Sequence, residues 1–192
     1  MKHEDGKYYH IYNRGANKQK IFYSDENYFY CLHLLEKYRI QYAVSVIAYC
    51  LMPNHCHLLL RQNAGGSISR YVQTTFNAYT QALNKVAGRS GTLFQGRAKS
   101  IEITTDEYAI RLCRYIHYNP VASKLAVNAS EWNYSDYNEW ITDGKPSIKN
   151  GNALKVDFTL RDGYFNSGDG YKKFSEEYAE GGLPSESLFD EE

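Results

Sequence analysis

The sequence predicts an α+β domain, an antiparallel sheet with helices packed mainly on one face. Two observations carry that reading. The hydrophobic period switches along the chain in the order β-α-β-β-α-β-α, and two β-favouring runs are separated only by Pro53-Asn54, which is a hairpin connection. With 192 residues there is room for one well-buried domain and an appendage.

Each element has a local cause. Tyr8 to Arg14 (YYHIYNR) alternates as a strand does, and Gly15-Ala-Asn-Lys ends it. Ser24-Asp-Glu-Asn opens a helix, and from Asn27 to Tyr38 the residues Tyr28, Cys31, Leu32, Leu34 and Leu35 recur at helical spacing. Tyr42 to Met52 (YAVSVIAYCLM) and His55 to Arg61 (HCHLLLR) form the hairpin. Ser67 can cap a second helix that runs to about Val86 with Ile68, Tyr71, Val72, Phe76, Tyr79 and Leu83 on its apolar side. Gly88 to Gly96 is a glycine-rich loop, and Lys99 to Ile103 a short strand. Thr104-Thr105-Asp106-Glu107 starts a third helix that Pro120 is expected to end. That element order is the ferredoxin-like one.

Beyond Trp140 the composition turns to Gly, Ser, Asn, Asp and Glu with weak periodicity. The expected division is a domain over 1–141 and an acidic C-terminal extension over 142–192, partly disordered, with 185–192 the least ordered and the whole extension dispensable for folding. The first apolar residues follow Met-Lys-His-Glu-Asp-Gly-Lys, and no run approaches the roughly eighteen apolar residues of a membrane span, so the chain reads as cytoplasmic without a membrane partner. Cys31, Cys50, Cys56 and Cys113 form no CxxC pair and read as reduced, partly buried thiols.

A net charge of zero hides a split: 1–141 holds 16 Lys+Arg against 11 Asp+Glu, whereas 142–192 holds 6 against 11. Between Arg61 and Lys124 nine basic residues stand against three acidic ones, which suits a polyanion and is also what a solvated face looks like. Nineteen tyrosines can stack on bases or simply fill a core and its rim.

Alternation along a strand puts His55 and His57 on one side, about 7 Å apart, with Cys56, Leu58 and Leu60 on the other. Two such imidazoles can share a divalent cation if a third ligand arrives from elsewhere; they can equally be structural histidines. On the third helix, Ala109, Leu112, Cys113 and Ile116 fall in one sector about 100° wide, the expected core face. Tyr108, Tyr115 and Asn119 form a stripe to one side, at the expected rim. Tyr115 and Asn119 are an i, i+4 pair whose phenol and amide can converge, or a boundary aromatic and a helix C-cap.

The strings MPNHCHLLL (Met52 to Leu60), LFQGRAKS (Leu93 to Ser100) and RYIHYNPV (Arg114 to Val121), in this order and after YYHIYNRG, resemble the HUH single-tyrosine transposases of IS200-like type. Within them the similarity is to the REP-associated tyrosine transposases and spans roughly Lys7 to Tyr137. The resemblance implies an HUH endonuclease fold of ferredoxin-like kind and a metal-dependent enzyme. It would nick and rejoin single-stranded DNA near palindromic hairpins through a covalent 5′-phosphotyrosine. His55 and His57 match the metal-binding histidines, Tyr115 the nucleophile, and Asn119 the amide ligand four residues later, a Gln in many relatives. Asn is one methylene shorter, and Cys56 replaces a bulkier apolar residue. The implied cofactor is Mg²⁺ or Mn²⁺. The implied partner is single-stranded or hairpin DNA, contacted by Arg14, Arg97, Lys99, Arg111 and Arg114, with a second copy of the chain as a candidate partner. The rival expectations are a hairpin-binding protein of the same fold without cleavage, and an RNA-binding α+β domain with incidental histidines. A cysteine hydrolase at Cys56 is disfavoured because its side chain points away from both histidines.

Overall fold

The structure is a computed structural model that describes residues 2–143 and 154–180, with side chains through 177; the stretch 185–192 lies outside the described residues. Four strands, β1 (Tyr8–Arg14), β2 (Val44–Met52), β3 (His55–Gln62) and β4 (Lys99–Ile103), form one sheet in the order β2-β3-β1-β4. All neighbouring strands are antiparallel. The helices are α1 (Asp25–Gln41), α2 (Ile68–Val86) and α3 (Asp106–Ala122), followed by the shorter α4 (Tyr137–Ile141), α5 (Thr159–Tyr164) and α6 (Gly168–Glu180). Ser67 caps α2 by accepting from the amide of Arg70, and Thr105 caps α3 by accepting from that of Tyr108. A Cβ at Gly15 would collide with the carbonyl oxygen of Gln19, so only glycine lets β1 turn off here.

The helices occupy both faces of the sheet, a correction to the expectation that they pack mainly on one. Tyr9, Ile11, Val46, Tyr49, Leu51, Cys56, Leu58 and Leu60 pack with α1 and α2 on one face. Ile47, Ala48, Cys50, Met52, Leu59 and Ile103 pack with α3 on the other. Alternation lets β2 serve both clusters, and a β-bulge between Val46 and Ala48 shifts its parity, so Val44 and Val46 before it and Tyr49 and Leu51 after it face α1 and α2. The apolar run from Val46 to Met52 is what a strand covered on two sides requires.

Pro120 does not end α3, which continues to Ala122. Pro120 lies in the last turn of α3, where the lost N–H bond and the crowding of the Ile116 carbonyl cost little of the helix. The end is closed instead by Ser123 N–H donating to Asn119 O at 2.9 Å and Leu125 N–H to Pro120 O at 2.8 Å.

The described part of the extension packs on the same core as the body. Leu154 joins the α1/α2 cluster, and Leu160 and Tyr171 join the α3 cluster, with Phe158 and Phe165 packed against it. Arg61 Nη2 lies 2.6 Å from Asp157 Oδ2. The Tyr171 hydroxyl meets His117 Nδ1 at 2.7 Å, and His117 Nε2 meets Asp136 Oδ1 at 3.0 Å. All four cysteines are free and buried. Among the described residues no helix is long and apolar enough to cross a membrane.

Candidate active site

The site grows from the strand register. Tyr12 lies opposite His57 across the β1–β3 pair and opposite Lys99 across the β1–β4 pair, and Arg14 lies opposite His55. Directly opposite residues share a face, so β1, β3 and β4 together present His10, Tyr12, His55, His57 and Lys99 on the α3 side.

The rings of His55 and His57 stand edge to face, with centroids 5.1 Å apart. His55 is half-buried, and its Nδ1 lies 2.7 Å from Asn54 Oδ1. His57 is only 1 % exposed, and its Nδ1 lies 3.0 Å from Nε2 of His10, itself 1 % exposed. The remaining nitrogen of His57, Nε2, is buried without a hydrogen-bond partner. Burial lowers the pKa of His10 to about 3. Burial, followed by the charges of His55 and His10, holds that of His57 well below the usual imidazole range. His10 was missed by sequence reasoning: alternation puts it on the Tyr12 face of β1, but nothing local reveals that β1 lies beside β3 in this register.

From α3, Tyr115 brings its ring edge-on to His57 at 5.6 Å. It is 6 % exposed, and Asn119 is 3 % exposed; both are more buried than the expected rim. Asn119 donates from Nδ2 to the Tyr115 carbonyl at 3.4 Å. Tyr108, on the same stripe, is exposed.

A cavity of about 1090 Å³ opens beside the histidines. His55, His57, Arg14, Arg97 and Lys99 line it, and so do Lys18 and Lys20, which the motifs do not mark. Among the described residues no carboxylate lines it. Arg14 donates from Nε to Gln95 Oε1, and the Lys99 ammonium sits 5.8 Å from the Tyr12 ring centroid. Tyr115 and Asn119 do not line the cavity, whereas Ser123 and Leu125 just beyond them do. Arg111 is exposed on α3 away from it. Arg114 instead stacks on Phe174 at 4.2 Å and donates to its carbonyl.

Among the described residues no group of three or more His, Cys, Asp and Glu side chains is placed to hold a metal. The donor set that fits is two imidazoles, one with a buried unpartnered Nε2, completed by an amide or water. Cys56 faces the opposite core, where burial pushes its thiol up to about 12.

The family model for IS200-like transposases matches residues 5–119, more than half of the chain. The chain belongs to that family. A transposase role, and with it DNA strand cleavage, follows from the membership. Among solved structures, the transposase is similar to a REP-associated tyrosine transposase bound to a REP hairpin, at 17 % identity and a TM-score of 0.66 over 83 % of this chain and 93 % of that one. The likeness establishes the shared fold. A protein of Deinococcus radiodurans solved as a candidate transposase matches at 19 % identity and a TM-score of 0.43 over 60 % of this chain and 95 % of that one. A bacterial tRNA(His) guanylyltransferase-like protein in complex with GTP matches at 12 % and 0.43 over 89 % and 92 %. Neither bears on the fold. No curated protein matches the transposase.

Proposed function

We propose that this transposase nicks and rejoins single-stranded DNA beside a palindromic hairpin, with Tyr115 as nucleophile, as in the REP-associated branch. The observation that carries the reading is the meeting of Tyr115 and His57, from separate elements, next to a cavity lined by five cations. Arg14, Lys18, Lys20, Arg97 and Lys99 would hold the phosphate backbone, and Tyr12 offers a ring for an unpaired base. The phenol oxygen of Tyr115 forms a bond to phosphorus and the bond to the 3′ oxygen breaks. That oxygen leaves as a hydroxyl, taking up a proton in exchange for the one the phenol releases, and the 5′-phosphotyrosine retains the ester for rejoining.

A phenol ionises near pH 10 and a phosphodiester is anionic, so attack needs charge withdrawn. His55 and His57 would hold Mg²⁺ or Mn²⁺, with Asn119 as amide ligand, and what the ion supplies is withdrawal of charge from a nonbridging oxygen. The chain keeps His57 neutral through burial, which suits a ligand. Because Tyr115 is packed against His57 and stands outside the cavity lining, its phenol must turn outward when DNA enters. That burial is also the one observation favouring the rival reading, a hairpin-binding protein without cleavage.

The test is a hairpin with a single-stranded flank, incubated with Mg²⁺ or Mn²⁺. Wild type is expected to give a protein–DNA adduct that survives boiling in detergent, with the tyrosine identified by peptide mass. Tyr115→Phe should give no adduct and no cleavage. An adduct undiminished in Tyr115→Phe moves the nucleophile elsewhere, and cleavage without any adduct points to water as the attacking group.

A further inference from the structure

His10 is buried, polar and in the site, and the reading above gives it no task. The β1–β3 pairing sets its position: His57 lies opposite Tyr12, two residues along β1 on the same face, so His10 is the diagonal neighbour of His57. The rings stack at 5.2 Å with planes 17° apart, and His10 Nε2 lies 3.0 Å from His57 Nδ1. Each side chain is 1 % exposed, so water cannot readily stand in for either.

A hydrogen bond between two neutral imidazoles needs one N–H and one lone pair. If His10 donates, His57 carries its own proton on Nε2, a buried donor with nothing to donate to. If His57 donates from Nδ1, its Nε2 keeps a lone pair, and the same unpartnered atom becomes a ligand for a cation. Only the second arrangement gives the isolated nitrogen a use.

We propose that His10 is a positioning residue for His57, accepting the Nδ1–H so that Nε2 is presented as a lone pair to a divalent cation. The inference rests on the metal-site reading above. Histidine ligands are commonly held through their second nitrogen by a carboxylate, a carbonyl or water; in this chain a second imidazole does it. That bond fixes both the tautomer and the ring angle of His57 before any ion arrives.

The test uses the full chain as wild type, His10→Leu, His10→Gln and His57→Ala, titrated with Mn²⁺ alone and followed by the paramagnetic resonance of free Mn²⁺. Nitrogen NMR of the metal-free protein reads the tautomer of His57. His10→Leu should weaken Mn²⁺ binding by about 10- to 100-fold and move His57 toward the Nε2–H form. In His10→Gln the amide oxygen can still accept, so binding should stay within a few fold and the Nδ1–H form should persist. Wild-type His57 found in the Nε2–H form overturns the proposal without any variant, should His10→Leu fail to fold. Wild-type binding by His10→Leu with an unchanged tautomer, or a folded His10→Gln that loses the metal, also overturns it. Wild type that binds Mn²⁺ no better than His57→Ala sinks the metal reading, and this inference with it.

Discussion

Along β3, residues alternate between two different tasks. Cys56, Leu58 and Leu60 point into the layer under α1 and α2, where all three are buried among apolar side chains. His55, His57 and Leu59 point to the α3 side, where α3 covers chiefly β2 and leaves the β1–β4 half to His10, Tyr12 and Lys99. On the α1/α2 side these β3 positions provide burial. On the α3 side Tyr12, His55 and Lys99 border an open cavity next to the buried His57, and this is where the candidate site lies. Parity along one strand thus separates burial from chemistry.

Two adjacent residues of β3 test this division. His57→Ala should reduce cleavage below detection while leaving hairpin affinity within a few fold, since phosphate contacts dominate binding. Its cost in stability should be about 1–3 kcal/mol, from the partner nitrogen left on His10. Leu58→Ala should cost about 2–5 kcal/mol and leave cleavage per folded molecule unchanged. Denaturant titration beside a cleavage assay reads both. A Leu58→Ala protein that is fully folded yet inactive, or a His57→Ala protein that still cuts, would refute the division of labour.

The strands and long helices were legible because their periods are local. Lys99–Ile103 was expected and is found, and the apolar stripe from Ile68 to Leu83 is the buried side of α2. The placement of α3 was less legible, although the continuous run of β2 contained the clue, since a strand covered on one face would alternate. Tyr115 was expected at a rim because its angular sector is off-centre. It is buried because every residue from Tyr115 to Pro120 is enclosed, and a helix covered on several sides has no rim there. His10, Lys18 and Lys20 depend on register and on a turn, neither of which has a local signature. Of the candidate DNA-binding cations, Arg14, Arg97 and Lys99 meet at one cavity, whereas Arg111 and Arg114 do not; a charge count cannot tell a groove from the back of a helix.

The extension offers the second test. Its acidic, aperiodic composition suggests a loose tail, yet Leu154, Leu160 and Tyr171 are buried and reach both sheet faces. A chain ending at Ile141 should therefore lose several kcal/mol, at about 1.5–3 kcal/mol for each large side chain uncovered. Much of the loss should come from the α3 side, where His117 forfeits the Tyr171 hydroxyl. Thermal melts of the truncated and full chains check this. Equal midpoints would restore the view that the extension is a dispensable tail.

The smallest effect concerns pH. Among the described residues the buried carboxylates are Asp136 and Glu139, and both belong to the α3 side. Burial, with the charge of Asp136 adding to it, raises the pKa of Glu139 from 4.5 to about 8. Below about pH 4.5 the folded and unfolded chains both keep the proton, so the group costs nothing. Between about 4.5 and 8 the unfolded chain releases a proton that the folded chain retains, so stability falls as pH rises; above about 8 both are ionised and the cost is constant. Glu139→Gln removes this slope. The variant should match wild type near pH 4 and exceed it at pH 8 by on the order of a few kcal/mol at most. Denaturant titrations of both proteins at the two pH values measure the difference. Curves that stay parallel across that range would mean that Glu139 ionises normally, and that the α3 side is wetter around α4 than its burial implies.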